Sequence, residues 1–222
     1  MHGRFCTVEP LDVALHVRDL YEANGDDPEG RNWTYLFDDP PEGFDAYHSW
    51  LAAKAASDDP LFHAIVDKAS GRAVGVASFM RVDRAHGVVE VGHLNFSPRL
   101  QRTPLATEAM FLMMCRAFDE LGYRRYEWKC DSLNEPSRRA ADRLGFRFEG
   151  LFRQADPMLH AARRMPHAAR CAVRHVPGCA VPPGDRVQGP EPRHGMVLHH
   201  RLRMARPAHS VQSMARAGKL RR

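Results

Sequence analysis

The chain has 222 residues, enough for one domain of ordinary size or a smaller domain with a tail. Its formal charge of +5 hides an uneven split: residues 1–155 hold 19 Lys and Arg against 24 Asp and Glu, and residues 156–222 hold 13 against 3. All 19 aromatic residues precede position 156, so the last third has little with which to offset chain entropy and is not expected to form a core of its own.

Phe5–Glu9 reads as a first strand. Leu11–Ala23 reads as a helix, because Leu11, Ala14, Leu15, Val17, Leu20 and Tyr21 recur on one face. A Gly/Asp/Pro loop covers 24–31, and a short apolar segment, Trp33–Phe37, stops at Pro40-Pro41. Phe44–Ser57 is a second helix with Phe44, Tyr47, Trp50 and Leu51 as its apolar side. Strands over 61–66, 73–82 and 88–96 follow, joined by short turns, which implies an antiparallel meander. The longest helix spans Pro104–Leu121, with Thr103 as N-cap, Pro104 where its missing N–H costs nothing, and Gly122 as the stop. A strand over 125–130, a helix over 134–144 with Gly145 as its cap, and the start of a strand at Phe146–Glu149 complete the readable part. The fold class is a mixed α/β sheet, mostly antiparallel and flanked by helices.

Three stretches carry chemistry. Gln101–Thr107 opens a helix just after a strand ends, where the N–H groups of Leu105, Ala106 and Thr107 and the helix dipole favour a pyrophosphate. Arg99 and Arg102 add positive charge. In the strand Val88–Phe96, strict alternation puts Glu90, Gly92, Leu94 and Phe96 on one face and Val89, Val91, His93 and Asn95 on the other. A carboxylate or an imidazole there can act as a general base. The third stretch, Asn134-Glu-Pro-Ser137, ends a strand and starts a helix beside the same spot.

This order resembles the acyl-CoA-binding core of the GNAT N-acetyltransferases, in particular the subgroup of ribosomal-protein N-terminal acetyltransferases. The resemblance covers about residues 4–155 and is strongest over 88–152. The family signature Arg/Gln-x-x-Gly-x-Gly/Ala is matched by Gln101 and Ala106; Pro104 stands where a glycine is usual. The resemblance implies acetyl transfer from acetyl-CoA to a primary amine, a protein N-terminus or a small molecule, by direct attack, in a bacterial cytoplasm. It implies Leu94, Phe96, Gln101, Arg102, Leu105, Ala106, Thr107, Asn134 and Ser137 as acetyl-CoA contacts. It implies Glu90, eleven residues before Gln101, as general base, and Ser137 as acid for the departing thiolate; the strand's own residues offer His93 as an alternative base. The tyrosine that many relatives place seven residues after the Asn is Ala141 here. Cys130 has no paired histidine that would argue for covalent catalysis. No metal is implied.

The five cysteines, Cys6, Cys115, Cys130, Cys171 and Cys179, form no Cys-x-x-Cys pair, so a zinc ribbon or disulfide framework is not indicated. The start of the chain lacks a signal-type apolar core and no apolar run reaches spanning length, so a cytoplasmic protein without a membrane partner is expected. Domain boundaries are expected at 1–155, a GNAT domain lacking its usual last strands, and 156–222, a basic Arg/Pro/His-rich tail without packed structure. That tail lacks the aromatic residues that a nucleic-acid arm would interleave, and His199-His200 and Cys171…Cys179 match no zinc spacing. Back-translated and read one nucleotide downstream, residues from 186 onward yield VYKGRNRDTAWFSIIDSEWP and then ARRTAFNQWLAPANFD. These strings look like the family's missing ending, so a shifted reading frame is expected from about 185. An inactive relative that only binds CoA, and a basic-tailed nucleic-acid binder, are the alternative readings.

Overall fold

The strands build one sheet, and helices with an apolar side cover its two faces. The computed structural model describes residues 1–153 and 196–202. In chain order these form β1 (Cys6–Pro10), α1 (Val13–Gly25), α2 (Gly43–Ala55), β2 (Leu61–Asp67), β3 (Arg72–Asp83), β4 (Val88–Phe96), α3 (Pro104–Cys115), β5 (Arg125–Asp131), α4 (Glu135–Arg143), β6 (Arg147–Arg153) and β7 (Met196–Leu202). The sheet order is β1-β2-β3-β4-β5-β7-β6, with β4 and β5 parallel and the other pairs antiparallel.

The helix starts follow local chemistry. Asp12 caps α1 by accepting from Leu15 N–H at 3.1 Å, and His16 Nδ1 reaches back to accept from Asp12 N–H at 3.0 Å. Thr103 caps α3 by accepting from Ala106 N–H at 3.2 Å, and Asn134 caps α4 by accepting from Ser137 N–H at 3.2 Å. The predicted helix over 104–121 is a regular helix only to Cys115. A π turn over Arg116–Glu120 then brings Leu121 N–H to Arg116 O at 3.0 Å.

Two cores lie on opposite faces of the sheet. Leu20, Tyr47 and Leu51 of α1 and α2 pack with Trp33, Phe62 and Val76. Met110, Met113 and Ala117 pack with Val8, Val89, Val91, Tyr126, Trp128 and Phe146. Glu108 of α3 ties in the first strand, its carboxylate accepting from the N–H groups of Arg4, Phe5 and Cys6 at 2.7, 2.7 and 2.9 Å.

One segment departs from the sequence reading. That reading ends the sheet with the strand begun at Phe146 and leaves residues 156–222 outside it. Instead β6 runs to Arg153, and β7 is inserted between β5 and β6. It pairs with β5 from Tyr126↔Leu202 to Asp131↔Val197 and with β6 from Arg147↔Arg201 to Arg153↔Met196. The physical reason is the edge of β5, whose buried Tyr126, Trp128 and Cys130 make it a central strand that needs a backbone partner on both sides. The other tail residues, Cys171 and Cys179 among them, lie outside the described residues.

Candidate active site

β4 and β5 pair only from Val88↔Arg125 to Val91↔Trp128, although β4 continues to Phe96 and β5 to Asp131. Where they part, a cavity of about 740 Å³ opens, within the usual range of small-ligand sites. Of the sequence-predicted residues, Glu90, Leu94, Phe96, Gln101, Arg102, Ala106, Asn134 and Ser137 all line it, as does His93. Leu105 and Thr107 do not: Leu105 packs against the core, and Thr107 faces a shallower depression with Glu108 and Arg143.

The strict alternation assumed for β4 fails in its middle. Val76↔Asn95 and Ser78↔Gly92 are successive rungs of the ladder with β3, so β4 carries one extra residue, and His93 has φ of 48°. This bulge reverses the phase of the strand. Leu94 and Phe96 therefore join the side of Val89 and Val91, packing on their core. His93 swings to the other side, its ring 5.4 Å from Phe62 and 5.7 Å from Phe37. The side chain of Asn95, a residue 2 % exposed, has no hydrogen-bond partner among the described residues; nothing in the structure accounts for it.

Glu90 is buried, its side chain 5 % exposed. Arg81 Nη1 donates to both carboxylate oxygens, at 3.1 and 2.9 Å, and Lys129 Nζ lies 2.5 Å from Oε2. Lys129 also reaches Glu127 at 2.9 Å, and Arg125 bridges Glu127 and Glu149. Parallel pairing puts Glu90 beside Glu127, so the cations are what allow two carboxylates to share this face. Arg81 itself sits at φ of 49°, its N–H held by Asp59 Oδ1 at 2.8 Å.

Ser137 is fixed from two directions. Its N–H is capped by Asn134, and its Oγ accepts from Trp128 Nε1 at 2.9 Å. The hydroxyl also shares a hydrogen bond with the Cys130 side chain. Burial pushes the Cys130 thiol up, with only partial relief from Ser137, so a thiolate nucleophile is disfavoured. Ala141, where many relatives have tyrosine, is fully buried in the core.

At the start of α3, Thr103 takes the Ala106 N–H, and Thr107 is the first donor with an acceptor inside the helix. Leu105 N–H remains, with the loop donors before it. Gln101 Nε2 donates to Phe96 O at 2.7 Å and to Asn32 Oδ1 at 2.5 Å. Asn32 belongs to the α1–α2 connection, which roofs the cavity. Arg99 pairs with Asp26 at 2.6 Å, and the Tyr35 hydroxyl donates to Leu133 O at 3.0 Å. Burial, and then the charge of Asp131, push the Tyr35 phenol up, so it stays protonated.

Sequence reasoning missed Arg81, Lys129, Tyr35 and Arg143 as cavity residues. Period-two alternation would have put Lys129 beside Glu127, yet only pairing across β4 and β5 brings it to Glu90. Among the described residues there is no cluster of His, Cys, Asp and Glu that could hold a metal ion, and no helix long and apolar enough to cross a membrane.

The sequence pattern of the acetyltransferase (GNAT) domain matches residues 7–147. A GCN5-related N-acetyltransferase from Brucella melitensis is 37 % identical, with a TM-score of 0.73, over 91 % of this chain and 77 % of that one. A probable GNAT-family acetyltransferase from Chromobacterium violaceum is 34 % identical, with a TM-score of 0.69, over 91 % and 84 %. The ribosomal L7/L12 alpha-N-protein acetyltransferase RimL, solved with coenzyme A, shares the fold at 14 % identity and a TM-score of 0.63, over 91 % and 96 %. No curated protein matches the sequence. A parted β4–β5 pair, a capped helix start beside it and a domain match over residues 7–147 agree: the chain belongs to the GNAT acetyltransferase family.

Proposed function

We propose that this protein transfers an acetyl group from acetyl-CoA to a primary amine by direct attack, the amine being a protein N-terminus or a small molecule. The observation that carries this reading is the cavity between β4 and β5, which joins the α3 start to Ser137, Glu90 and His93 in one space. The pantetheine arm would lie along the parted strand edges as an added strand. Its pyrophosphate would meet Leu105 N–H, the loop donors and the Arg102 guanidinium.

The reaction needs one proton removed from the acceptor ammonium and one delivered to sulfur. Glu90 and His93 both line the cavity as proton acceptors. Ser137, with its oxygen held by Trp128, is the proton donor to the departing thiolate. The buried Cys130 thiol argues against an acetyl-cysteine intermediate. The likeness to RimL is one of fold, and the ribosomal-protein subgroup enters only as a place to begin the acceptor search.

The test is calorimetric binding of acetyl-CoA, followed by a mass-spectrometric screen of amines: peptide N-termini, polyamines, amino sugars and amino acids. Saturable binding and one acetylated product class are expected. Binding without transfer to any amine would favour a CoA-binding relative, and no binding would refute the reading.

The shifted reading frame is also proposed. One observation favours it: codons 196–202, which in the shifted frame give Trp-Phe-Ser-Ile-Ile-Asp-Ser, coincide with β7. A strand between two others calls for apolar and β-branched residues, which the shifted product supplies better than a segment carrying His199, His200 and Arg201. Resequencing codons 150–222, with the intact mass of the expressed protein, decides it; an unchanged sequence and mass refute it.

A further inference from the structure

We infer that His93 is the general base of the acetyl transfer and that Glu90, clamped by Arg81 and Lys129, is its charged neighbour and not the base. This rests on the acetyltransferase reading above and assigns one of its roles. The β4 bulge puts the imidazole on the same side of the strand as Glu90, in the wall of the cavity. The two groups differ in what they have left to offer. Both Glu90 oxygens already accept from Arg81 and Lys129, so an acceptor ammonium would have to displace a cation. Neither His93 nitrogen has a hydrogen-bond partner among the described residues; the ring is held only by the faces and edges of Phe37 and Phe62.

Charged groups face this ring from each element around it: Lys54 of α2, Asp38 of the α1–α2 connection, Arg81 of β3 and Glu90 of β4. Burial depresses the imidazole below its ordinary value and Lys54 adds to this, while Asp38 and Glu90 oppose. His93 is therefore neutral, with a free lone pair, at the pH where an amine must be deprotonated. It takes one proton from the acceptor ammonium. The freed nitrogen lone pair forms the N–C bond, the C–S bond breaks, one of the two remaining N–H protons passes to the thiolate with Ser137 as relay, and the other stays on the amide nitrogen. The proton on His93 returns to solvent, so acetyl-CoA and ammonium yield amide, CoA thiol and one proton.

The experiment measures kcat/KM against pH for wild type, His93→Gln and Glu90→Gln, with the amine that wild type acetylates best. A base works only when deprotonated, so activity is lost as pH falls through the His93 value, giving an acid limb below pH 6.5. His93→Gln is expected to lose about 100-fold or more at the plateau, together with that limb. Unchanged acetyl-CoA affinity would show that the variant is folded. Glu90→Gln is expected to lose less and to keep the limb, moved to lower pH, because it removes a negative neighbour and leaves two cations. A second readout needs no acceptor: diethyl pyrocarbonate mapping by mass spectrometry, with exposed His48 as the reactive control. The protected control is His16, whose two nitrogens are both engaged. Carbethoxylation of His93 supports the assignment. A His93 as inert as His16, or a His93→Gln enzyme within threefold of wild type with its limb intact, overturns it. A wild-type enzyme that acetylates no amine would instead fail the acetyltransferase reading, and the mapping would still judge the ring.

Discussion

Glu108→Gln should loosen the first strand from α3 in a pH-dependent way. The Glu108 carboxylate accepts three backbone N–H groups, from Arg4, Phe5 and Cys6. A bond to an ionised acceptor contributes about 1.5–3 kcal/mol net when shielded. The Arg4 and Phe5 bonds are exposed, where water substitutes and each keeps only a few tenths of a kcal/mol. The Cys6 bond is part-buried and carries most of the effect. The total is about 2 kcal/mol, or a fall in Tm of roughly 4–8 °C for a domain of this size. Burial pushes the Glu108 carboxyl up, but the N–H groups of Phe5, Arg4 and Cys6 outweigh it and hold the group below its ordinary 4.5. Its folded-state value is thus below the unfolded one, so its stabilisation is full above about pH 4.5 and fades as pH falls through the folded value. Urea unfolding of wild type and Glu108→Gln between pH 7 and pH 3.5 reads this directly. The gap should be about 2 kcal/mol at pH 7 and narrow as acid is added. A gap under 0.5 kcal/mol at pH 7, or one that ignores pH, would refute the reasoning.

Arg102 and Arg143 line the cavity, and neither has an ion pair among the described residues. Arg102→Ala and Arg143→Ala should each weaken acetyl-CoA binding by roughly tenfold and flatten its salt dependence, read by calorimetry at two ionic strengths; unchanged affinity in both would remove them from the site. A Cβ on Gly92 would stand 2.5 Å from Met80 Sδ, so Gly92→Ala should destabilise by about 1–3 kcal/mol. Adding Met80→Ala should relieve that clash, with a coupling of about 1 kcal/mol in a double-mutant cycle; strict additivity would show that the two do not meet.

Much of this protein was legible in its sequence because the signals are local. Val88–Phe96 was read with the bounds that β4 has, since turn residues and alternation mark a strand without help from its neighbours. Thr103 caps α3 with Pro104 behind it as read, because a cap is a bond between residues three apart; Asn134, read as the first residue of its helix, is the cap of α4. The cavity residues Gln101, Arg102, Ala106, Asn134 and Ser137 followed from the order of elements together with the motifs that carry the family resemblance. What the tertiary structure decided is non-local. Insertion of β7 beside β5 depends on an edge that exists only once the sheet is formed. The bulge at His93 arises from register against β3, and it turned an even alternation into two phases, bringing the imidazole to Glu90's side. The clamp on Glu90 draws Arg81 from one neighbouring strand and Lys129 from the other, residues separated in sequence and joined only by pairing. Period and capping are written in a few consecutive residues; register, edges and ion-pair networks are properties of the assembled sheet.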